Sequence, residues 1–482
     1  MGILKSCSPT GLGCRSLAIL AACGAALSAG VATAQDASTV LETPIEQMPI
    51  RVATDSGMVE AVAGANDGPQ LVYSTEVGLE DAPWLRLQFE EVILSGDNSL
   101  GDDAFLWITS LEDGAVQIMT QQDLERWGYT SAYFNGDEVR VELYAYPGAG
   151  KNRLKMDTIL AGPPADFTPF SLCGSDNREL SSDAKSARVL PAQCTVFMID
   201  DATHNFLTAG HCATGLQVVQ FNVPLSTESG GLVNPPPEDQ YPVDPDSLQW
   251  QFSGIGNDWA YFGVFPNSNT GLTPFQASGV FHFLANAAPP VLNQTIRITG
   301  YGTDTSPSSH NSVQQTSTGP YEDRFGDIIR YAVDTTGGNS GSAVVDLTTG
   351  LVIGIHTNAG CTSAGTGSNQ GTAIQDSNLQ NALNNPQGVA AEADCNNNGV
   401  PDFVDLAQGM DDCNDNGILD SCEGIIVPGD LNSTNTVDGT DLSIMLASWG
   451  AAGGSADINT DGVVDGVDLA ILLSNWGSLC DK

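Results

Sequence analysis

The sequence predicts a mainly β protein built from several modules and ending in acidic loops that feed short helices. Three observations carry that prediction. Apolar and polar side chains alternate with period two through the first third, where Leu85, Leu87 and Phe89 interleave with Arg86 and Gln88, and Val139, Val141 and Leu143 with Arg140 and Glu142; this is the signature of half-buried strands. The middle holds short apolar runs bounded by glycine and proline, such as Cys194-Thr195-Val196-Phe197-Met198-Ile199 and Leu351-Val352-Ile353-Gly354-Ile355. After Asn385-Pro386-Gln387 the composition turns to Asp, Asn and Gly, arranged in repeats. At 482 residues the chain is too long for one ordinary core, so several modules are expected.

Residues 1–34 read as a signal peptide. Lys5 and Arg15 are basic, Ser16 to Val31 is apolar, and Ala32-Thr33-Ala34 supplies small residues before Gln35, a pattern that sends the chain out of the cytoplasm. Leu20-Ala21-Ala22-Cys23 offers a second reading, a lipoprotein box acylated at Cys23. No later run reaches the ~18 apolar residues of a membrane span. Of 11 cysteines, Cys7, Cys14 and Cys23 lie in this leader and eight remain, an even number suited to an oxidising compartment. The balance of 16 Lys and Arg against 58 Asp and Glu gives a formal charge of −42, which argues against nucleic acid or anionic membrane as a partner and favours cations.

Residues 35–66 show no sustained period and read as a linker. Residues 67–165, with short strands and turns such as Asn135-Gly136-Asp137, read as a β-sandwich. It would serve as a propeptide, an inhibitor, a binding module or a plain spacer. Residues 166–188 read as a second linker, in which Arg178, Lys185 and Arg188 look exposed and open to a maturing cut.

Within residues 189–388 the chemistry concentrates on Thr335-Thr336-Gly337-Gly338-Asn339-Ser340-Gly341-Ser342. A serine attacks only when a base takes its proton and donors meet the oxyanion it creates. Gly337, Gly338 and Gly341 let the loop turn the N–H groups of Gly338 and Ser340 into one small hole. The candidate base is His211, in Thr208-Ala209-Gly210-His211-Cys212. The candidate carboxylate is Asp258, in Gly256-Asn257-Asp258-Trp259-Ala260-Tyr261-Phe262. It is preferred to Asp239, Asp244 and Asp246 of the proline-rich region because an aromatic strand would bury it, and a buried carboxylate holds an imidazole in one tautomer. His204 and His310 fall in polar loops and read as solvated, and His282, between Phe281 and Phe283, as an ordinary strand residue.

The phrases Thr208-Ala209-Gly210-His211-Cys212, Tyr331-Ala332-Val333-Asp334-Thr335-Thr336-Gly337-Gly338-Asn339-Ser340-Gly341-Ser342 and Gly354-Ile355-His356-Thr357-Asn358, in that order, resemble the trypsin-like serine proteases. The resemblance covers about Asp176 to Leu383 and is similar, within that family, to the bacterial glutamyl endopeptidases. It implies a double β-barrel and a serine endopeptidase working through an acyl-enzyme, with Ser340 as nucleophile, His211 as base and then acid, Asp258 as its orienting group, and the Gly338 and Ser340 N–H groups as oxyanion hole. It implies a Cys194–Cys212 disulfide. Cys173 with Cys361 is the pairing left over, because Thr336 stands where trypsins carry the cysteine that would bond to that loop; the pairing of these two and of Cys395, Cys413, Cys422 and Cys480 stays open.

The resemblance further implies that His356, with Thr335, lines the primary specificity pocket and binds a substrate Glu or Asp side chain. Asp334 stands six residues before Ser340, where trypsins carry the carboxylate that binds Arg or Lys, so a basic preference is the alternative. Asn339 replaces the aspartate with which trypsins capture a new N-terminus, which implies another route of activation. A non-enzymatic adhesion or scaffold protein with a decayed protease barrel is the alternative from another class.

Residues 389–425 carry Asp394, Asn396, Asn398, Asp402 and Asp405, recurring 18 residues on as Asp412, Asn414, Asn416, Asp420 and Glu423. Oxygen ligands at loop positions one, three, five, nine and twelve, with glycine at six, suit calcium, and these repeats look like the thrombospondin type 3 kind. Residues 426–482 carry Asp430, Asn432, Thr434, Asp438 and Asp441, then 27 residues on Asp457, Asn459, Asp461, Asp465 and Asp468. Leu442, Met445, Leu446 and Trp449, and likewise Leu469, Leu472, Leu473 and Trp476, fall at helical spacing after each loop. The pair resembles a dockerin domain, which implies bound calcium, not needed for the peptidase chemistry, and a cohesin-like partner. The first loop departs from the pattern, with Thr434 at a ligand position and Asn435 where glycine is expected.

Overall fold

The structure is a computed structural model and describes residues 44–62, 68–96, 102–162, 172–291, 294–391, 400, 402–407, 419, 429, 431–432, 436–451, 453–459 and 461–478. The signal peptide with Cys23, the candidate ligands Asp394, Asn396, Asn398, Asp412, Asn414, Asn416, Asp420, Glu423, Asp430 and Thr434, and Cys395, Cys413, Cys422 and Cys480 lie outside the described residues.

The N-terminal part folds into β1 (Met48–Asp55), β2 (Gln70–Gly78), β3 (Trp84–Gln88), β4 (Glu91–Ile93), β5 (Phe105–Ser110), β6 (Val116–Met119), β7 (Thr130–Asn135), β8 (Glu138–Ala145) and β9 (Arg153–Ala161). One sheet runs β1-β9-β3-β7, with β4 also on β9, and the other runs β2-β8-β5-β6. The period-two pattern accounts for the packing. In β8 the residues Val139, Val141 and Leu143 are fully buried while the intervening ones reach the surface, so both sheets place one apolar face in a shared core with Leu85, Leu87, Leu106 and Ile108. The expected linker 35–66 is corrected over 48–55. There Met48, Ile50 and Val52 alternate with exposed residues, and the strand pairs antiparallel with β9; Pro49 and Arg51 disguise the period.

Two larger sheets follow, formed by β10 (Glu179–Leu180), β11 (Ser186–Pro191), β12 (Cys194–Met198), β13 (Phe206–Thr208), β14 (Leu216–Gln220), β15 (Gln240–Pro242), β16 (Gln249–Phe252), β17 (Asp258–Phe262), β18 (Thr295–Gly300), β19 (Gln315–Phe325), β20 (Ile328–Tyr331), β21 (Ala343–Asp346), β22 (Val352–Asn358) and β23 (Asn369–Ala373). The first is ordered β15-β14-β11-β12-β13-β17-β16, and the second β10-β19-β18-β21-β22-β23-β20 with β20 returning to β19, which closes it into a barrel. Continuous apolar runs produce strands buried along their whole length, as in β12, β17 and β22.

The second expected linker, 166–188, is also corrected. Its described part leads into the first of these two sheets: Ser186, Ala187 and Arg188 belong to β11 and pair with β12. Arg178 has a side chain only 4% exposed and Arg188 is 1% exposed, so neither is open to a cut. Arg188 donates to Gln220 Oε1 from Nε at 2.9 Å and Nη2 at 2.7 Å, and to the carbonyls of Ser312 at 3.2 Å and Val233 at 3.1 Å. Burial pushes its guanidinium down to about 10.

That same network reaches the N-terminal module. Gln220 donates to Gln240 Oε1, which also accepts the Tyr133 N–H at 3.0 Å, while Gln240 Nε2 donates to the Tyr133 carbonyl at 2.9 Å. Asn234 and Asn135 exchange two further bonds, and Asn269 brackets β6 through Ile118 N–H and the Val116 carbonyl. The Gln240 and Asn269 carboxamides thus supply the pairing that the backbone of β6 and β7 needs. Leu190 and Val218 complete the seam by packing into the module's core.

His204, expected in solvent, is instead stacked between Phe275 at 3.7 Å and Phe281 at 4.6 Å. His282 is a buried strand neighbour, as expected, with its imidazole pushed down to about 4 by desolvation. In the C-terminal part, Gly439–Ala447 and Gly466–Ser474 are helical, each capped by the preceding aspartate, Asp438 or Asp465, in a reciprocal capping box with Asp441 or Asp468. Met445 and Leu472 are buried, but Leu446, Trp449, Leu473 and Trp476 are 46–53% exposed. Two nine-residue helices bury a single narrow stripe, so only half of the expected apolar positions turn inward.

Candidate active site

His211 follows β13 at the start of the 3₁₀ turn Gly210–Gly215. The residue before it has to be glycine, because a Cβ on Gly210 would fall 2.0 Å from the Gln251 carbonyl oxygen. Asp258 opens β17 and is fully buried. Its two oxygens divide between one partner residue: Oδ1 accepts the His211 N–H at 2.9 Å and Oδ2 lies 2.7 Å from His211 Nδ1. A carboxylate can only accept there, so the proton sits on Nδ1 and Nε2 is left with its lone pair. Thr372 of β23 ties this corner to the second barrel, donating to the Asp258 carbonyl at 2.8 Å and accepting the Asp258 N–H at 3.1 Å.

Ser340 reaches the same corner from the second barrel. The Thr195 N–H, on β12, donates to the Ser340 carbonyl at 2.8 Å, and the Thr195 hydroxyl donates to the Gly338 carbonyl at 2.8 Å. The neighbour of Thr195, Cys194, is bonded to Cys212, the neighbour of His211. A Cβ on Gly341 would sit 2.0 Å from Thr208 Oγ1, immediately before the histidine turn. Serine loop, β12 and histidine turn are therefore locked together without space for a methyl group.

The carbonyls of Thr336, Gly337, Gly338, Asn339, Ser340 and Ser342 are engaged. The Asn339 N–H donates to the Thr336 carbonyl at 3.0 Å, closing a turn in which Gly338 has φ +99°, and the Gly337 carbonyl accepts the Thr303 N–H at 2.7 Å. Because a trans peptide opposes its C=O and N–H, this bond aims the Gly338 N–H away from Thr303. Gly341 N–H donates to the His356 carbonyl and His356 N–H to the Ser342 carbonyl, at 2.8 and 2.9 Å, fixing β22 against the loop.

His356 is buried, with Nδ1 2.7 Å from the Tyr331 hydroxyl. Burial, and then the nearby His211, push its imidazole down to about 3, so it is neutral at ordinary pH. Thr335 Oγ1 accepts from Asn369 Nδ2 at 2.9 Å. Asp334 is buried with both oxygens on backbone donors, Oδ1 on the Cys173 N–H at 2.6 Å and Oδ2 on the Asn177 N–H at 2.8 Å. The Cys173–Cys361 disulfide is present beside it. Asn369 and Thr372 escaped sequence reading because a lone polar residue in a strand carries no local signal of its distant partner.

Cys194, His211 and Cys212 cluster closely enough to hold a metal, but the two sulfurs are bonded to each other and are no longer thiolate ligands. In the last module, Asp461 N–H donates to Asp457 Oδ1 and Asn459 Oδ1, and Gly462, at φ +97°, donates to Asp457 Oδ2. Asp468 accepts from the Ile458, Asn459 and Asp465 N–H groups, and these hydrogen bonds hold its carboxyl below the usual range. Asp441 accepts from the Leu431, Asn432 and Asp438 N–H groups. Asp402 and Asp405 lie on the short helix Asp402–Ala407.

Residues 194–355 match the family model of the trypsin-like peptidase domain. No curated protein matches the chain. Among solved structures, a Glu endopeptidase in complex with MPD is 21% identical, covering 44% of this chain and 96% of its own, with a TM-score of 0.34. The thermostable serine protease AL20 from an extremophilic microorganism is 17% identical over 40% of this chain and 88% of its own, TM-score 0.31. Neuropsin from mouse brain is 18% identical over 42% and 95%, TM-score 0.32. No helix among the described residues is long and apolar enough to cross a membrane. The chain carries a trypsin-like peptidase domain and, with it, the activity of a serine endopeptidase, a hydrolase of peptide bonds.

Proposed function

We propose that the chain is a secreted endopeptidase that cuts after acidic residues by way of a Ser340-His211-Asp258 triad. The observation that carries the reading is the buried Asp258–His211 pair, which leaves the lone pair of Nε2 for the serine proton. Ser340 Oγ attacks the scissile carbonyl as His211 Nε2 takes its proton. The N–H groups of Gly338 and Ser340 receive the oxyanion, and the imidazolium returns the proton to the leaving amine. Water, deprotonated by the same imidazole, then releases the acyl group. The leader sequence and the two disulfides support secretion.

The acidic preference rests on His356 and Thr335. A substrate carboxylate calls for a proton on Nε2, which requires the Tyr331 hydroxyl, 3.1 Å from the Gln370 carbonyl and 2.7 Å from Nδ1, to give its single proton to Nδ1. Asp334 favours this reading over an Arg or Lys pocket, since its oxygens already serve two backbone donors. A peptide library digested by the secreted protein and read by mass spectrometry should show cuts after Glu. His356→Gln should lower kcat/KM on those sites by about 10- to 100-fold, the value of one or two hydrogen bonds to a charged group. Cuts after Arg or Lys would move the pocket to Asp334.

We read residues 44–162 as a β-sandwich module and residues 426–482 as a dockerin-like calcium module. Asp457, Asn459, Asp461, Asp465 and Asp468 are hard oxygen donors gathered in one glycine-hinged loop, which suits calcium. Exposed Leu446, Trp449, Leu473 and Trp476 are available to a cohesin-like partner. Calorimetric titration of the full chain should show calcium binding that Asp457→Ala and Asp461→Ala weaken, and a cohesin complex on size exclusion that chelation dissolves. Absence of heat with calcium would remove both readings while leaving peptide cleavage untouched.

A further inference from the structure

We propose that Arg178 is a positioning residue that sets the geometry of the oxyanion hole through Thr336. Its side chain is 4% exposed, and its fork of donors points at the serine loop from the segment that precedes β10. Nη1 donates to Thr336 Oγ1 at 2.8 Å and to the Thr303 carbonyl at 3.1 Å, and Thr336 Oγ1 donates to that same carbonyl at 2.9 Å. Thr303 returns the contact through its N–H on the Gly337 carbonyl, and Thr336 supplies the carbonyl on which the Asn339 N–H closes its turn. The guanidinium therefore holds the first residue of the turn that orients the Gly338 and Ser340 N–H groups.

Two further features show that this is a built arrangement. Asp176 grips the guanidinium from the other side with both oxygens, at 3.0 and 2.8 Å, and Asp304, itself buried, lies 3.4 Å away. A Cβ placed on Gly302 would fall 2.3 Å from Thr336 Oγ1, 2.2 Å from Asn339 Nδ2 and 3.1 Å from Arg178 Nη1, so nothing lies between arginine and loop. The segment that carries Arg178 is anchored independently, by the Cys173–Cys361 disulfide and by the Cys173 and Asn177 N–H groups on Asp334. Asp176 and Asp304 both approach Nη2, so removal of the positive charge would leave the two carboxylates facing each other beside Thr336, and that repulsion would push the turn out of register. Maturation therefore has to spare residues 173–178.

The inference rests on the oxyanion role assigned above to Gly338 and Ser340, and the experiment separates the two. Arg178→Gln, Arg178→Lys and Thr336→Val are compared with wild type and Ser340→Ala for kcat, KM and inhibition by a peptide boronic acid, whose tetrahedral adduct occupies the oxyanion hole. For Arg178→Gln, kcat should fall about 10- to 100-fold, the scale of a misplaced oxyanion donor, with KM moving less than about 3-fold. Boronate affinity should fall in step with kcat/KM. Arg178→Lys, which keeps the charge without the fork, should recover part of the loss. Thr336→Val leaves the arginine in place and decides the matter if Arg178→Gln does not fold. Wild-type kcat in folded Arg178→Gln and Thr336→Val, or a loss confined to KM with boronate affinity unchanged, overturns the positioning role. Retained cleavage by Ser340→Ala instead overturns the reading on which it rests.

Discussion

Ser340→Ala should lower kcat by on the order of 10⁵- to 10⁶-fold while leaving the unfolding midpoint nearly unchanged. The side chain loses one oxygen, and what holds the loop is the Ser340 carbonyl on Thr195, together with Gly337, Gly338 and Gly341; none of those bonds uses the hydroxyl. Asp258→Asn should cost about 10⁴-fold, for a different reason. The carboxylate serves the His211 N–H and Nδ1–H at once, and an amide presents two donors and one acceptor to that pair. The imidazole then turns its lone pair to the amide and its proton to the serine. Progress curves on a Glu-containing peptide, with fluorophosphonate labelling of the active serine, measure both. A Ser340→Ala protein within about 10³-fold of wild type would place the nucleophile elsewhere.

Arg188→Met should destabilise the folded chain by about 2–5 kcal/mol. Methionine nearly fills the volume, so the loss lies in what stays behind: Gln220 Oε1 and the Ser312 carbonyl, both buried, and the half-buried Val233 carbonyl. An acceptor stripped of its donor in the interior costs about 1–3 kcal/mol. None of these acceptors is charged, which is why desolvation wins and the guanidinium titrates near 10, still charged at neutral pH. Urea unfolding reads the loss directly, and a change below about 1 kcal/mol would mean that water replaces the arginine and satisfies the cluster.

The sequence was legible where causes are local. The alternation in β8 dictates its buried face, the glycines around Ser340 are required by contacts of 2.0–2.4 Å at Gly341 and Gly338, and the two capping boxes follow from Asp438 with Asp441 and Asp465 with Asp468. It was silent where a residue's partner lies far along the chain. Arg178 meets Thr336 across 158 positions, Asp334 meets Cys173 across 161, and Gln240 meets Tyr133 across 107. Basic residues between a β-module and a protease look like a tether in sequence. Only the fold reveals that two of them are buried braces.

The seam between module and protease also bears on the order in which the chain can fold. Residues 44–162 leave the ribosome before residues 186–240 do, and a domain made first folds first. The backbone of β6 and β7 and the apolar surface around Leu85 and Leu106 can thus be in place when Leu190, Val218 and Gln240 are synthesised. Folding in the order of synthesis would let the first of the two large sheets assemble against a surface already formed by the earliest-made third of the chain.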